Sequence, residues 1–311
     1  MVEIIDVSSW KPYEGNPDGS GRSEKQWLVF DDGRIGLFKY PKTNPDTKET
    51  TYEHISEHLA HKIGELLDVR TAAVDLGTND GRIGSISYLI VGDGEALIEG
   101  LQFILGQHPH YDSDRLYDAS SHEHYSIDHI FNSVGYEGFT EYWIKMLLFD
   151  FLIGNSDRHQ SNWAYILSQE QESEGTIIRI TPSPLYDNGS SLCCFVRENQ
   201  LQGYLGKDAL KFHSLVETKS RSIVRINPHN KRRPLHSEVV QHLLAYYPST
   251  KPIAKSYVNR LEPGSIQSLV YAYQDELVSP DRKRLLVKFL KEKAALLQRL
   301  VMESENGLQQ S

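Results

Sequence analysis

The sequence predicts an α+β chain of two unequal lobes, the first rich in strands and the second helical. Three observations carry this. Residues 26–40 and 70–91 each read as two strands joined by turn formers. Amphipathic helical patterns dominate from residue 235 onward. Between them LLFDFLIGNSDRHQSNWAYIL, residues 147–167, runs from an apolar helix through a polar loop into a strand. A chain of 311 residues has room for two lobes, here placed at 1–97 and 98–311.

In the first lobe, residues 15–25 (GNPDGSGRSEK) form a glycine- and serine-rich loop ahead of the strand QWLVF. Glycines let backbone amides approach an anion, so Gly19, Ser20, Gly21 and Ser23 are candidates for binding phosphate, with a plain turn as the alternative. QWLVFDDGRIGLFKY reads as two strands around Asp32-Gly33, a type I′ hairpin signal, and leaves Lys39 near the end of the second. Over residues 51–67, Ile55, Leu59, Ile63 and Leu66 or Leu67 recur at a helical period, with Glu53 and Glu57 one turn apart on a neighbouring face. RTAAVDL and RIGSISYLIV then pair across the turn formers 78–81 and lead to a connection at about residues 91–100.

The second lobe opens with a polar segment in which His108, His110, His122, Glu123 and His124 crowd together. Imidazole and carboxylate are zinc ligands, but the spacing fits no standard pattern, so a solvated loop is the reading adopted. FTEYWIKMLLFDFL places Phe139, Trp143, Met146, Leu147 and Phe151 near one face of a core helix. Asp150 interrupts that run, either bonding loop backbone or sitting in solvent. SQEQESEG (168–175) reads as a hairpin tip, and TIIRI and PLY as strands leading into Asp187-Asn188-Gly189. KSRSIVRINPHNKRRP (219–234), the most basic stretch, reads as a solvated connector, and the last ten or so residues as a frayed end.

The loop after the core helix is where chemistry is expected. Asp157 and Asn162 stand five positions apart, the interval between base and metal-ligand Asn in the loop H-R-D-x-x-x-x-N of protein kinases, although the order here is Asp-Arg-His. Phosphoryl transfer needs a carboxylate beside the attacking hydroxyl and oxygen ligands that hold magnesium against the phosphates, and one short loop can supply both. Asp187 then reads as the second metal ligand, in a variant of Asp-Phe-Gly, and Lys39 as the strand lysine that reaches the phosphates.

The strings LIGNSDRHQSNW, SPLYDNGSSL and YEHISEHLAHKIGELL resemble the HipA-like serine/threonine kinases, especially their short CtkA-like forms. That family shares a distant fold with phosphatidylinositol kinases, which also carry G-x-x-D-R-H-x-x-N. The resemblance spans about residues 15–240 and implies a protein-kinase-like fold using ATP and magnesium. It implies that Glu57 positions Lys39, that His159 stabilises charge on the transferring phosphoryl, and that the protein phosphorylates itself on Ser20 or Ser23. It also implies a protein substrate with serine or threonine and an antitoxin-like partner.

Composition bounds these readings. With 33 basic against 42 acidic residues the net charge is −9, which argues against a general nucleic-acid binder. No apolar run approaches the length of about 20 residues that spans a bilayer, and no signal peptide is recognisable at the start, so a cytoplasmic protein is expected. The two cysteines, Cys193 and Cys194, are adjacent and expected to be reduced thiols. A lipid or small-molecule kinase is the rival enzyme, and a catalytically silent toxin-like binding module the rival from another class. The full set Lys39, Asp157, Asn162 and Asp187 speaks against the silent module.

Overall fold

The structure is a computed structural model and describes residues 1–14, 24–43, 49–172, 175–206 and 208–308. The candidate phosphate loop with Gly19, Ser20, Gly21 and Ser23 lies outside them.

A six-stranded sheet in the order β1-β5-β6-β4-β3-β2 forms the first part of the chain. Its strands are β1 (Ile4–Asp6), β2 (Lys11–Pro12), β3 (Lys25–Val29), β4 (Ile35–Lys39), β5 (Val74–Asn79) and β6 (Arg82–Tyr88). All neighbours run antiparallel except β1, which is parallel to β5. Phe38, Leu28 and Ile86 pack with Val7 and Trp10 into a small core on one face. Helix α1 (Glu53–Leu67) packs against β5 and β6, where its buried Ile55, Leu59 and Ile63 join the main core with Leu76.

The two Asp-Gly turns behave differently. At the first only Gly33 has positive φ (86°), and Phe30 pairs through its amide with the Arg34 carbonyl across a three-residue loop. The expected type I′ turn requires positive φ at both central residues, which Asp32 does not have. At the second, Asp80 (φ 50°) and Gly81 (φ 76°) both meet that requirement between the paired Asn79 and Arg82.

Strand β7 (Glu95–Glu99) follows, at the sequence-expected lobe boundary, and continues as α2 (Gly100–Gln107). It pairs with β11 (Ala164–Glu172), which pairs in turn with β12 (Gly175–Pro182). The strands therefore extend into the stretch read as a hairpin tip. PLY forms no strand, Leu185 making only a single bridge to Thr71.

The histidine-rich segment is not a loop. It folds as a small sheet of β8 (Tyr111–Asp112), β9 (Tyr117–Asp118) and β10 (Glu123–His124), followed by α3 (Ile127–Phe131). Tyr111, Leu116 and Tyr125 anchor it in the main core. The basic stretch departs likewise from a solvated connector: Ile223 and Val224 are buried, and the Arg225 amide bonds the Tyr125 carbonyl. Two apolar residues amid the charges suffice to pin it.

Helix α4 (Thr140–Ile153) is buried on every side along its second half, including Leu148, Phe149 and Leu152, so its core face is wider than its periodicity indicates. Short helices α5 (Leu201–Leu205) and α6 (Ala209–His213) lead to α7 (His236–Tyr246), α8 (Thr250–Arg260), α9 (Pro263–Tyr271) and α10 (Pro280–Leu308). The last packs against α4, α5, α7, α8 and α9, and its helix runs to Leu308 through most of the tail expected to fray. Among the described residues no helix is long and apolar enough to cross a membrane, and both cysteines are free thiols.

Gly154 ends α4 in the left-handed region (φ 68°) and turns the chain into the next loop; a Cβ there would stand 2.9 Å from Phe289 Cζ. Gly154→Ala should cost roughly 1–2 kcal/mol from the backbone conformation alone, measurable as a lowered urea midpoint with an unchanged slope.

Candidate active site

Between the six-stranded sheet and the helical part lies a cleft of about 560 Å³, a volume suited to a small ligand. Lys39, Glu57, Asp157, His159, Asn162 and Asp187 all line it. Residues far apart in the chain are thus brought to one surface.

The loop is built on a buried ion pair. Asp150, 3% exposed in the last turn of α4, receives Nε and Nη2 of Arg158, itself 1% exposed, at 3.0 and 2.8 Å. Asn155 Nδ2 donates to the same carboxylate at 3.0 Å. The remaining guanidinium hydrogens reach the Asn162 carbonyl (2.7 Å), the Tyr186 carbonyl (2.9 Å) and Asn188 Oδ1 (2.5 Å). One side chain therefore ties helix, loop and the segment around Asp187 together. Burial works against the Arg158 charge, but Asp150 more than restores it.

Within the loop, Asn155 Oδ1 accepts the Asp157 amide (3.0 Å), and Asn162 Nδ2 donates to the Asp157 carbonyl (2.8 Å). That second bond uses the amide nitrogen of Asn162 and leaves its Oδ1 as an oxygen donor. Asp157 is half-buried, and burial raises its pKa above the usual carboxylate range despite the opposing pull of His159. A raised pKa makes a better proton acceptor. His159 Nδ1 accepts the Ser161 amide (3.2 Å), so the neutral ring carries its proton on Nε2.

Across the cleft, Lys39 is the last residue of β4, and its Nζ lies 3.0 Å from Asp187 Oδ1. Burial disfavours the ammonium, yet Asp187 and then Glu57 hold its pKa above the ordinary lysine value. Lys39 in turn is the main reason that the Asp187 pKa lies below the carboxylate range. Asp187 has φ 56°, and its side chain remains 47% exposed, so the pair opens on the cleft.

Glu57 departs from the role expected of it. It makes no ion pair with Lys39; its Oε1 accepts the Asn188 amide at 2.8 Å. Burial raises its pKa, opposed by Lys39. It acts on Lys39 only as a nearby negative charge and fixes the backbone beside Asp187. Glu53, the other helical carboxylate, is taken by Lys42 (2.8 Å) and Thr51 (2.7 Å).

Sequence reasoning passed over Arg158, Asn155 and Asn188. The signal for Arg158 was Asp150, a carboxylate inside an apolar helix that needs a buried cation.

No protein-family model and no curated protein matches the sequence. Solved structures do. Helicobacter pylori CtkA, described as a proinflammatory kinase, superposes with TM-score 0.77 at 17% identity, covering 97% of this chain and 99% of that one. HipA of Shewanella oneidensis MR-1, solved with HipB and operator DNA as a toxin–antitoxin system, gives TM-score 0.53 at 13% identity, covering 94% and 68%. The chain has the kinase-like fold of CtkA and HipA. The α+β, two-lobed reading of the sequence is borne out in that fold.

Asp150→Ala should lower stability by roughly 3–5 kcal/mol, since it strands a guanidinium in the core. Chemical denaturation checks this, and a loss below about 1 kcal/mol, the range of exposed pairs, would contradict the assigned burial.

Proposed function

We propose that the protein is an ATP- and magnesium-dependent serine/threonine protein kinase of the HipA-like type. The observation that carries this is the arrangement across one cleft: Asp157 and Asn162 on a single braced loop, facing the Lys39–Asp187 pair.

The donor set suits magnesium. Asn162 Oδ1 and the Asp187 carboxylate are hard oxygen donors, the kind that this cation takes. These two residues would hold it, and the bound ion supplies neutralisation of charge on the phosphates. Lys39 binds the phosphates as a point charge, Asp157 orients the substrate hydroxyl and accepts its proton, and His159 Nε2 donates toward the transferring group. Glu57 acts through the Asn188 backbone to place Asp187, a positioning role. Leu89, Ile90 and Val91, which line the cleft beyond β6, are the place for the adenine.

The loop with Gly19, Ser20, Gly21 and Ser23 is assigned as the phosphate cover, and Ser20 or Ser23 as a site of self-phosphorylation that lowers activity. A phosphoserine there brings nearly two negative charges, which repel the ATP phosphates or pair with Arg22 or Lys25. The N-lobe is assigned to 1–97 and the C-lobe to 98–311. The proposed substrate is a protein, the proposed setting cytoplasmic, and an antitoxin-like partner is included because HipA was solved with HipB.

With labelled ATP and magnesium, label is expected in protein; label in lipid alone would make this a lipid kinase. Asp157→Asn should lower single-turnover transfer at least about a hundredfold while ATP affinity changes little, because the base acts on the hydroxyl. The same variant should lose phosphate from Ser20 and Ser23 by mass spectrometry, and phosphate persisting there would rule out self-modification. Asp187→Ala should weaken magnesium-dependent ATP binding as well as transfer, read by ATP titration across a magnesium series.

A further inference from the structure

The histidine-rich segment carries a second cluster with chemistry of its own. His108 at the end of α2, Glu123 in β10 and His129 in α3 each offer one ligand atom, and these atoms lie within 4.8 Å of one another. Only His108 and Glu123 belong to the crowd visible in the sequence; folding replaces the neighbouring histidines with His129.

Three features distinguish the cluster from a chance meeting of polar groups. His129 is 6% exposed and its Nε2 has no hydrogen-bond partner among the described residues, although its Nδ1 is held by Ser126 Oγ at 2.8 Å. A buried polar atom without a partner calls for one, and fixing one ring nitrogen by a hydrogen bond is how proteins aim the other at a metal. Glu123 Oε2 stands 3.7 Å from His108 Nδ1, close to the spacing of about 3.3 Å between ligand atoms on a tetrahedral zinc with bonds of about 2.0–2.1 Å. Asp118, 1% exposed, commits Oδ1 to the Ser120 amide (2.7 Å) and hydroxyl (2.6 Å), which leaves Oδ2 facing His108 Nδ1 at 3.3 Å. It adds a second carboxylate, so that two neutral imidazoles and two carboxylates balance a divalent charge.

We propose that His108, Glu123 and His129 bind a divalent transition ion of the zinc class, with Asp118 Oδ2, on the same side of the His108 ring as Glu123, as a further carboxylate that completes the charge. Mixed imidazole and carboxylate ligands suit zinc, whereas magnesium favours oxygen alone. The ion clips the end of α2, the small sheet and α3 together. That unit also braces the loop of the cleft: Gln160 Nε2 donates to the Ser113 carbonyl (3.1 Å) and Trp163 Nε1 to Tyr125 Oη (2.7 Å). The proposed role is structural and stands independently of the kinase reading.

The test uses the full chain, stripped with a chelator, incubated with zinc chloride and dialysed before elemental analysis. About one zinc per chain should remain, and zinc should raise the melting temperature. Glu123→Gln and His108→Ala should each lose the retained zinc and the thermal shift while folding without metal as the stripped wild type does; Glu123 and His108 are about a quarter exposed, so neither change empties the core. Asp187→Ala should keep the zinc. Absence of retained zinc in the wild type, equal retention by Glu123→Gln and His108→Ala, or loss of zinc in Asp187→Ala would each overturn the assignment.

Discussion

The buried pair of Asp150 and Arg158 is the constraint on which the rest of the cleft depends. Desolvating both charges is costly, and the cost is met only when every donor and acceptor is used. Arg158 uses its fork to reach Asp150, the Asn162 carbonyl, the Tyr186 carbonyl and Asn188. A lysine has no such planar set of donors and would leave several of these groups unpaired. The spacing between the loop and the segment around Asp187 is therefore set by the length and shape of one side chain, inside a core that tolerates little displacement.

From that frame outward the charges are ordered by exposure. Arg158 and Asp150 are sealed, Glu57 is buried against a backbone amide, and the Lys39–Asp187 pair opens on the cleft. Two carboxylates in one cleft carry opposite shifts: the Asp187 pKa is lowered, chiefly by Lys39, while that of Asp157 is raised, chiefly by burial. Such divergence separates an anionic ligand from a proton acceptor. Lys39 and Asp187 neutralise one another across the lobes, so a bound polyphosphate and cation would exchange this contact for two new ones.

Much of this was legible in residue patterns. The α1 periodicity, the strand pairs, the core helix and the spacing of Asp157 and Asn162 are local features, and each appears in the structure at or near its expected place. What failed was the reading of features that depend on distant partners. The turn at Asp32-Gly33 follows the register of β3 and β4, and the basic stretch is pinned by a core it does not encode. The resemblance placed Glu57 at Lys39, but its hydrogen-bond partner is the Asn188 amide.

By itself the sequence determined where α1, α4 and the strands β3 to β6 lie, which loop carries the acid, amide and imidazole groups, and that a lysine precedes them on a strand; period and turn chemistry act over a few residues and need no tertiary information. Only the tertiary structure decided which charges meet. Lys39 finds Asp187, Arg158 finds four partners, and His129 joins His108 and Glu123. The physical reason is that burial selects partners by distance in space: a charged or polar side chain must be satisfied where packing leaves it, and its neighbours there come from segments that the chain order keeps far apart.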